Sequence, residues 1–192
     1  MVYQEKKIKV ASNPEYFSYY VIQQIGRMIV NHYRDPYFAG LSNFIIKNAG
    51  ISETDPEKCK KQCEAIYFWV QEKIQYSHDP GGSEAIKTDK ITSPKLIIQR
   101  GFGDCDDYTV VYCTLLEAIG RETRIITAGN EKYQKNKKVF IAYSHIFMKV
   151  KCLDNWYYLD GTLKGYPFGS IKPYKFISSW KLLDRKGNIK NE

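Results

Sequence analysis

The sequence predicts an α+β fold in which an antiparallel sheet packs on one buried helix. Three observations indicate this. Apolar residues recur at helical spacing in the first part of the chain, and the period changes to that of strands after Gly120. Between these parts, the segment from Cys105 to Gly120 is apolar on nearly all sides, which is typical of a helix buried all round. Helices first and strands later favour α+β over alternating α/β.

Length and composition limit the class of protein further. The 192 residues suffice for one domain with a core, and 43% hydrophobic and 15% aromatic residues argue against disorder. No apolar run reaches the ~18–20 residues of a membrane helix, and the charged start "MVYQEKKIKV" lacks the apolar stretch of a signal peptide. We therefore expect a cytoplasmic protein with no membrane partner. The net charge of +8 leaves nucleic-acid binding as a weaker alternative.

The N-terminal region predicts three helices. Asn13-Pro14 and Asp35-Pro36 are start signals that combine an N-cap with a proline in the first turn, and Gly50 can end the second helix. The third helix lies within "TDPEKCKKQCEAIYFWVQEKIQY". Its apolar stripe consists of Cys59, Cys63, Ile66, Val70 and Ile74.

The middle of the chain combines loop and helix. Residues 77–104 are rich in glycine and proline and predict mostly loop, with a short helix after Ser93. The buried helix then begins at Cys105, with Asp104 as its N-cap and Gly120 as its C′ residue.

The C-terminal part predicts strands. "ETRIITAG" is a strand, "NEKYQKNKK" is a basic loop, and "VFIAYSHIFMKVK" is one long central strand. "NWYYLDGT" follows after a turn at "LDN" and forms a hairpin with the long strand. Residues 166–192 are expected to wrap the surface.

Cys105 is a candidate nucleophile because it begins the buried helix. The helix dipole and the free N–H groups of the first turn favour a thiolate and can stabilise an oxyanion. Three neighbouring carboxylates, Asp104, Asp106 and Asp107, act in the opposite direction. A reactive Cys105 therefore needs a cationic partner, most naturally an imidazolium.

His145 and Asp160 are the candidate partners. Two hairpin registers are compatible with the "LDN" turn: they place Asp160 opposite His145 or opposite Phe147, one diagonal step away. In both, the carboxylate can reach the imidazole. Two alternatives stay open: His145 as a packed core residue, and Asp160 as a turn cap before Gly161-Thr162.

The pattern "GDCDD…LLEAIG…R" followed by "SHIFMKV…WYYLDGT" resembles the transglutaminase-like superfamily, which has a papain-like core. The resemblance implies that Cys105 is the nucleophile, His145 the general acid and base, and Asp160 the acid that orients the histidine. It also implies that the cysteine begins a buried helix while the histidine and aspartate lie on adjacent antiparallel strands.

Further segments resemble the transglutaminase-like proteins of tailed bacteriophages and prophages. They are "RDPYFAGLSNFI", "AIYFWVQEKIQYSHDPGGSEAI", "SPKLIIQRGFGDCDD" and "PFG", so the resemblance covers roughly Arg34 to Gly169. One departure is Gly161, where family members commonly carry proline. No residue clearly matches the family's side-chain oxyanion donor, for which Tyr76 and Gln99 are alternatives.

The other cysteines predict packing rather than chemistry. An odd number, five, favours reduced thiols over a disulfide framework. Cys59 and Cys63 are four residues apart on a helix face and could bind zinc, but no other ligand is nearby in the sequence, so packing is the favoured interpretation. Cys113 is expected in the core and Cys152 at an exposed hairpin. We expect no metal and no cofactor.

These observations predict a single domain over residues 1–192, with an N-terminal helical region (1–55), a catalytic core (56–165) and the C-terminal tail (166–192). The predicted function is acyl transfer on amide bonds through a thioester, as a peptidase, amidase or transglutaminase. The expected partner is a protein or peptide substrate. The alternative is a phage structural, assembly or host-interaction protein with virion components as partners, located in the virion or the bacterial host cytoplasm.

Overall fold

The computed structural model describes residues 5–9, 14–77, 88–135, 137–182 and 188–192. The helices in these ranges are α1 (Pro14–His32), α2 (Pro36–Asn48), α3 (Lys58–Lys73), α4 (Pro94–Arg100) and α5 (Cys105–Ala118). The strands are β1 (Glu5–Lys9), β2 (Gln75–Tyr76), β3 (Thr88–Thr92), β4 (Phe102–Gly103), β5 (Thr123–Gly129), β6 (Glu131–Lys135), β7 (Lys138–Ala142), β8 (His145–Cys152), β9 (Asn155–Leu159), β10 (Phe176–Leu182) and β11 (Ile189–Asn191).

The main sheet has five antiparallel strands in the order β11-β10-β5-β8-β9. Three two-stranded ladders accompany it: β1 with β3 and β6 with β7 are antiparallel, whereas β2 with β4 is parallel. Because β8 lies between β5 and β9, it is an internal strand, as its two apolar faces predicted.

Helix α5 lies at the centre of the fold. Every residue from Asp106 to Leu116 is buried, and the helix packs against β8 and against α1, α2, α3 and α4. The predicted α+β class, with an N-terminal helical region and a buried helix on an antiparallel sheet, is confirmed. No helix in the described parts of the chain has both the length and the apolar character needed to cross a membrane.

The helix boundaries follow local signals. Asp35 precedes α2, and its Oδ1 accepts a hydrogen bond from the Tyr37 N–H at 3.0 Å. Gly50 ends the turn after this helix with a φ of 64°, a left-handed conformation that glycine adopts without steric cost. Asp104 is the N-cap residue of α5, and Gly120 follows that helix with a φ of 76°. The predicted N-cap Asn13 lies outside the described residues.

The segment 131–152 differs from its prediction. The expected basic loop and single long strand are instead a β6–β7 hairpin followed by a separate strand, β8. Strand structure is interrupted at Tyr143 and Ser144, where the Ser144 N–H donates a hydrogen bond to the Ala128 carbonyl at 3.0 Å. The Ala142 carbonyl lies so close to the Gly129 Cα that a Cβ there would overlap it. Gly129 therefore lets the hairpin fold back over the end of β5.

The C-terminal segment also contains more strand than predicted. Residues expected only to wrap the surface supply β10 and β11, which extend the main sheet beyond β5. Trp180 is buried there, and its Nε1–H donates to Thr127 Oγ1 at 2.9 Å. Strands β3 and β4 likewise form within the segment predicted as mostly loop.

Candidate active site

Cys105 is the first residue of α5, and a tight turn delivers it there. The preceding helix α4 ends at Gly101 with a φ of 72°, and the short parallel ladder pairs Tyr76 of β2 with Gly103 of β4. A Cβ at Gly103 would overlap the side chain of Asp107, so only glycine fits this position. The "GFGD" stretch therefore packs closely against the first turn of α5.

Asp107 holds this turn together from inside the helix. Its carboxylate accepts from the Asp104 N–H at 3.3 Å and forms an ion pair with the Arg100 guanidinium. Arg100 Nε also donates to the Phe102 carbonyl at 2.7 Å. Because the Asp107 side chain is 1% exposed, its charge depends on this pairing. One of the three acids near the thiol is therefore a structural residue of the turn.

The surroundings of the Cys105 thiol oppose its ionisation. Burial raises the pKa of this thiol well above its ordinary value, and the negative charges of Asp106, Asp104 and Asp160 raise it further. The main-chain N–H of Ile146 hydrogen-bonds the sulfur and acts in the opposite direction. This N–H belongs to the residue after His145, so it brings the start of β8 against the start of α5.

His145 and Asp160 are hydrogen-bonded to each other. The hairpin pairs Met148 with Leu159, which is the register that places Asp160 across from Phe147 and diagonal to His145. The distance from His145 Nε2 to Asp160 Oδ2 is 2.7 Å. Asp160 therefore binds one of the two ring nitrogens, Nε2.

Asp160 serves two purposes at once. While Oδ2 binds His145, Oδ1 accepts from the Thr162 N–H at 3.1 Å and from its Oγ1 at 2.7 Å. The two alternatives that the sequence left open for Asp160, histidine partner and turn cap, are both realised. The second set of bonds fixes the carboxylate, which is 1% exposed, in one orientation toward the imidazole.

Two aromatic rings, Phe147 and Tyr174, pack against the imidazole and against each other. The His145 ring stacks on Phe147 at 5.5 Å between centroids and on Tyr174 at 5.9 Å, and the two aromatic rings stack on each other at 6.0 Å. Burial, followed by the charges of Asp160 and Cys105, raises the pKa of Tyr174 to about 12. Tyr174 is thus a neutral site residue that the sequence did not indicate, because it comes from the segment after the hairpin.

Helix α3 supports the loop that carries Asp160. Tyr67 Oη donates to the Asp160 carbonyl at 3.3 Å, and Gln71 Nε2 donates to the carbonyls of Leu163 at 3.1 Å and Gly161 at 3.4 Å. A Cβ at Gly161 would overlap the ring of Tyr108 on α5. This contact gives a physical reason for glycine where the resemblance led us to expect proline.

The two alternatives for a side-chain oxyanion donor lie in different surroundings. Burial and the charges of Cys105 and Asp104 raise the pKa of Tyr76, so its phenol lies within the electrostatic reach of the thiol. Gln99 is exposed on α4, and no interaction described for this chain joins it to Cys105. The structure therefore brings Cys105, His145, Asp160 and Tyr76 into one neighbourhood and leaves Gln99 outside it.

The remaining cysteines correct two expectations. Cys59 and Cys152 form a disulfide, so the prediction of five reduced thiols is wrong for this pair. Cys152 is 4% exposed, which overturns its expected exposure at the hairpin; the side chain points into the core between α3 and β8. Cys63 Sγ lies 3.5 Å from Cys152 Sγ. Cys113 is fully buried, as predicted.

Among the residues that the structure describes, two groups of side chains have ligand atoms close enough to share a metal ion: Cys59 with Cys63 and Cys152, and Asp104 with Cys105 and Asp106. The second group includes the candidate nucleophile, so a cation there would occupy the sulfur that has to attack. It is poorly suited to a resident metal.

The sequence matches the profile of the transglutaminase-like superfamily over residues 46–161, which is more than half of the chain. The chain belongs to the transglutaminase-like superfamily. The matched segment contains Cys105, His145 and Asp160. No curated protein sequence matches this family member significantly.

Two solved structures are similar to this transglutaminase-like chain, and the first of them shares its fold. One is a "putative protease" from Parabacteroides distasonis, with a TM-score of 0.55 and 8% identity, covering 88% of this chain and 30% of its own length. Another is a "putative cysteine protease" from Cytophaga hutchinsonii, with a TM-score of 0.40 and 18% identity, covering 79% of this chain and 48% of its own. The chain thus spans less than half the length of either protein.

Proposed function

We propose that the chain is a cysteine-dependent enzyme that transfers acyl groups from amide bonds, with Cys105 as nucleophile, His145 as general acid and base, and Asp160 as the residue that orients the histidine. The observation that carries this proposal is the 2.7 Å hydrogen bond between His145 and Asp160, directly beside the residue whose N–H bonds the Cys105 sulfur. A histidine buried only for packing has no need of a carboxylate fixed by Thr162.

In the proposed reaction, Nδ1 of His145 takes the proton of the Cys105 thiol as the sulfur attacks the amide carbonyl. Asp160 stabilises the resulting imidazolium through Nε2. The tetrahedral intermediate collapses as His145 returns the proton to the leaving amine, which leaves a thioester on Cys105. His145 then removes a proton from water or from an acceptor amine, and the second attack releases the acid or the new amide.

Main-chain and phenol donors near Cys105 are suited to the developing oxyanion. The first turn of α5 places main-chain N–H groups close to the sulfur. We assign the side-chain donor to Tyr76, whose phenol keeps its proton to donate. Burial and then the negative charge of Cys105 raise the pKa of this phenol, so it lies within the electrostatic reach of the sulfur. Tyr174, also neutral, covers the face of the imidazole and limits water beside the His145–Asp160 bond.

Acylation of the protein tests the nucleophile and its base together. With p-nitrophenyl acetate as acyl donor, intact-mass and peptide mass spectrometry should find one acetyl group on Cys105. His145→Ala should abolish this labelling, because the acids around the thiol keep it protonated without an imidazole. His32→Ala is the matched control, because His32 lies at the end of α1 and bonds the Met28 carbonyl at 2.7 Å. Acetylation of His145→Ala at the wild-type rate would refute the pairing.

We favour water over an amine as the final acceptor, because the microbial transglutaminase-like proteins that the sequence resembles are often regarded as peptidases. A fluorescent primary amine added to the acylated enzyme distinguishes the two outcomes. Release of free acetate at all amine concentrations supports a peptidase or amidase. Incorporation of the amine in proportion to its concentration supports a transglutaminase.

A phage structural, assembly or host-interaction protein that retains the fold is the second candidate. The basic β6–β7 hairpin favours it: Lys132 and Lys137 are exposed there, on a protein with a net charge of +8. If acylation fails while a polyanion such as heparin binds tightly at physiological salt, this second function gains support.

A further inference from the structure

Three cysteine sulfurs meet at the end of β8 that lies away from His145. Cys59 and Cys63 are one helical turn apart on α3, and Cys152 ends β8. All three sulfur atoms lie within 4.8 Å of one another. Cys152 lies seven residue steps along β8 from His145, which at ~3.3 Å per step is roughly 23 Å. We call these three residues the sulfur cluster; it is a site separate from the proposed catalytic one.

The spacing of the sulfur cluster suits a metal ion when its thiols are reduced. Tetrahedral zinc with ~2.3 Å bonds separates neighbouring thiolate sulfurs by about 3.8 Å. The distance from Cys63 to Cys152 is 3.5 Å, and the third sulfur is within the same small volume. Thiolates select thiophilic cations over Mg²⁺ and Ca²⁺. This site could not be predicted from the sequence, because Cys152 lies 93 residues from Cys59 and no local pattern links the two.

Charge and access are also compatible with a cation. Three thiolates and one divalent ion carry a net charge of −1. Burial raises the pKa of the Cys63 thiol to about 12, and the positive charge of Arg121 acts in the opposite direction. Arg121 is itself held by a hydrogen bond from Nη2 to Gln62 Oε1 at 2.6 Å. Cys63 and Cys152 are buried, whereas Cys59 is partly exposed and opens the cluster to solvent on one side. A water molecule can complete the coordination there.

We propose that the reduced sulfur cluster binds one thiophilic divalent cation of the zinc class, and that formation of the Cys59–Cys152 disulfide releases it. In the oxidising step, the two thiolates lose two electrons to a peroxide, which takes up two protons and becomes two water molecules. One S–S bond forms, two metal–sulfur bonds break, and Cys63 alone is too few ligands to retain the ion. The cluster thereby couples metal content to oxidation.

Cadmium binding tests the proposal in the full chain carrying Cys105→Ala, which removes the other reactive thiol. After reduction, Cd²⁺ should bind one ion per chain by native mass spectrometry, with thiolate-to-cadmium charge-transfer absorbance. Cys63→Ser and Cys152→Ser should lose the ion, while Cys113→Ser should keep it. Retention of one ion in Cys152→Ser, or no binding to the reduced parent, would overturn the proposal.

Alkylation provides a readout that does not depend on how the variants fold. In the reduced parent, Cd²⁺ should protect Cys59, the partly exposed member of the sulfur cluster, from iodoacetamide, as mapped by peptide mass spectrometry. Hydrogen peroxide should then release one Cd²⁺ per chain, with a mass loss of two hydrogens and a Cys59–Cys152 linked peptide. An unprotected Cys59, or release without that linkage, would contradict the proposal.

Discussion

The two ends of β8 differ in how they surround sulfur. At the start of the strand, the Ile146 N–H bonds the sulfur of Cys105, while burial and then the charges of Asp106, Asp104 and Asp160 raise the pKa of the thiol. At the other end, Cys152 meets Cys59 and Cys63 in the core, with Arg121 as the neighbouring charge. One sulfur is surrounded by negative charge and hydrogen bonds, and the other three are surrounded by apolar side chains and one another.

The two ends of β8 therefore depend on different features of the structure. The Cys105 end works only if charges are placed correctly, so its function depends on single polar atoms such as Asp160 Oδ2. The sulfur cluster depends on proximity between α3 and β8, so its contribution is to stability and to ion or redox chemistry. Substitutions at one end should therefore change quantities that substitutions at the other end leave unaltered.

Asp160→Asn should have the largest effect. An amide cannot stabilise the imidazolium and can favour the wrong tautomer, so the acylation rate of Cys105 should fall by about 10⁴-fold, as in other histidine–aspartate pairs. Stopped-flow measurement of p-nitrophenol release provides the rate. Asp154→Asn, the same chemical change at the exposed hairpin turn, is the matched control and should keep the wild-type rate. A loss of less than tenfold would show that Asp160 is a turn cap only.

Reduction of the Cys59–Cys152 disulfide should have the largest effect on stability. The bond closes a loop of 93 residues, and chain entropy assigns such a loop about 4–5 kcal/mol. Urea unfolding with a chelator present, with and without reductant, measures the difference. Cys59→Ser should lose its response to reductant. If reductant lowered the stability of Cys59→Ser as much as that of the wild type, the effect would belong to another thiol.

Arg100→Ala should destabilise the turn before Cys105. Removal of the guanidinium deprives the buried Asp107 carboxylate of its ion pair with Arg100, which costs about 3 kcal/mol of unfolding free energy. Urea unfolding of the oxidised protein measures it. Lys60→Ala, which breaks the exposed pair with Glu57, is the control and should leave the unfolding midpoint in place. Equal midpoints for the two variants would contradict the structural role of Arg100.

Asp106→Asn should produce the smallest and most local change. Asp106 is the strongest of the charges that raise the pKa of Cys105, so its neutralisation should lower that pKa. Because the rate of alkylation follows the thiolate fraction, iodoacetamide should label Cys105 a few-fold faster at each pH below the pKa. Cys63, at the other end of β8, should be labelled at an unchanged rate in the reduced protein. Slower labelling of Cys105 in this variant would show that Asp106 does not raise the pKa of the thiol.

Much of the fold could be predicted because its signals are local. Asp35-Pro36 and Asp104 begin helices, and Gly50 and Gly120 follow them, through backbone preferences that act within a few residues. The apolar period identified α5 as buried and β8 as internal. The β6–β7 hairpin could not be predicted, because its lysine-rich sequence lacks strand alternation and Gly129 permits the fold through a contact with Ala142.

Some residues of the candidate site could likewise be predicted from local signals, and others could not. Cys105, His145 and Asp160 could be predicted from order and spacing, since a hairpin places Asp160 near His145 in either register. Tyr174 and the Cys59–Cys152 pair could not. Each joins segments that are far apart in the chain, and neither residue type carries a local pattern for its partner.

The sequence by itself determined the helix starts, the buried helix and the three candidate catalytic residues, because capping, periodicity and hairpin geometry act over short distances. Only the tertiary structure decided how the sheet is completed, which ring covers His145, why Gly161 is required beside Tyr108, and which sulfurs meet. Those features arise from packing between distant segments, and packing depends on the shape of the whole core.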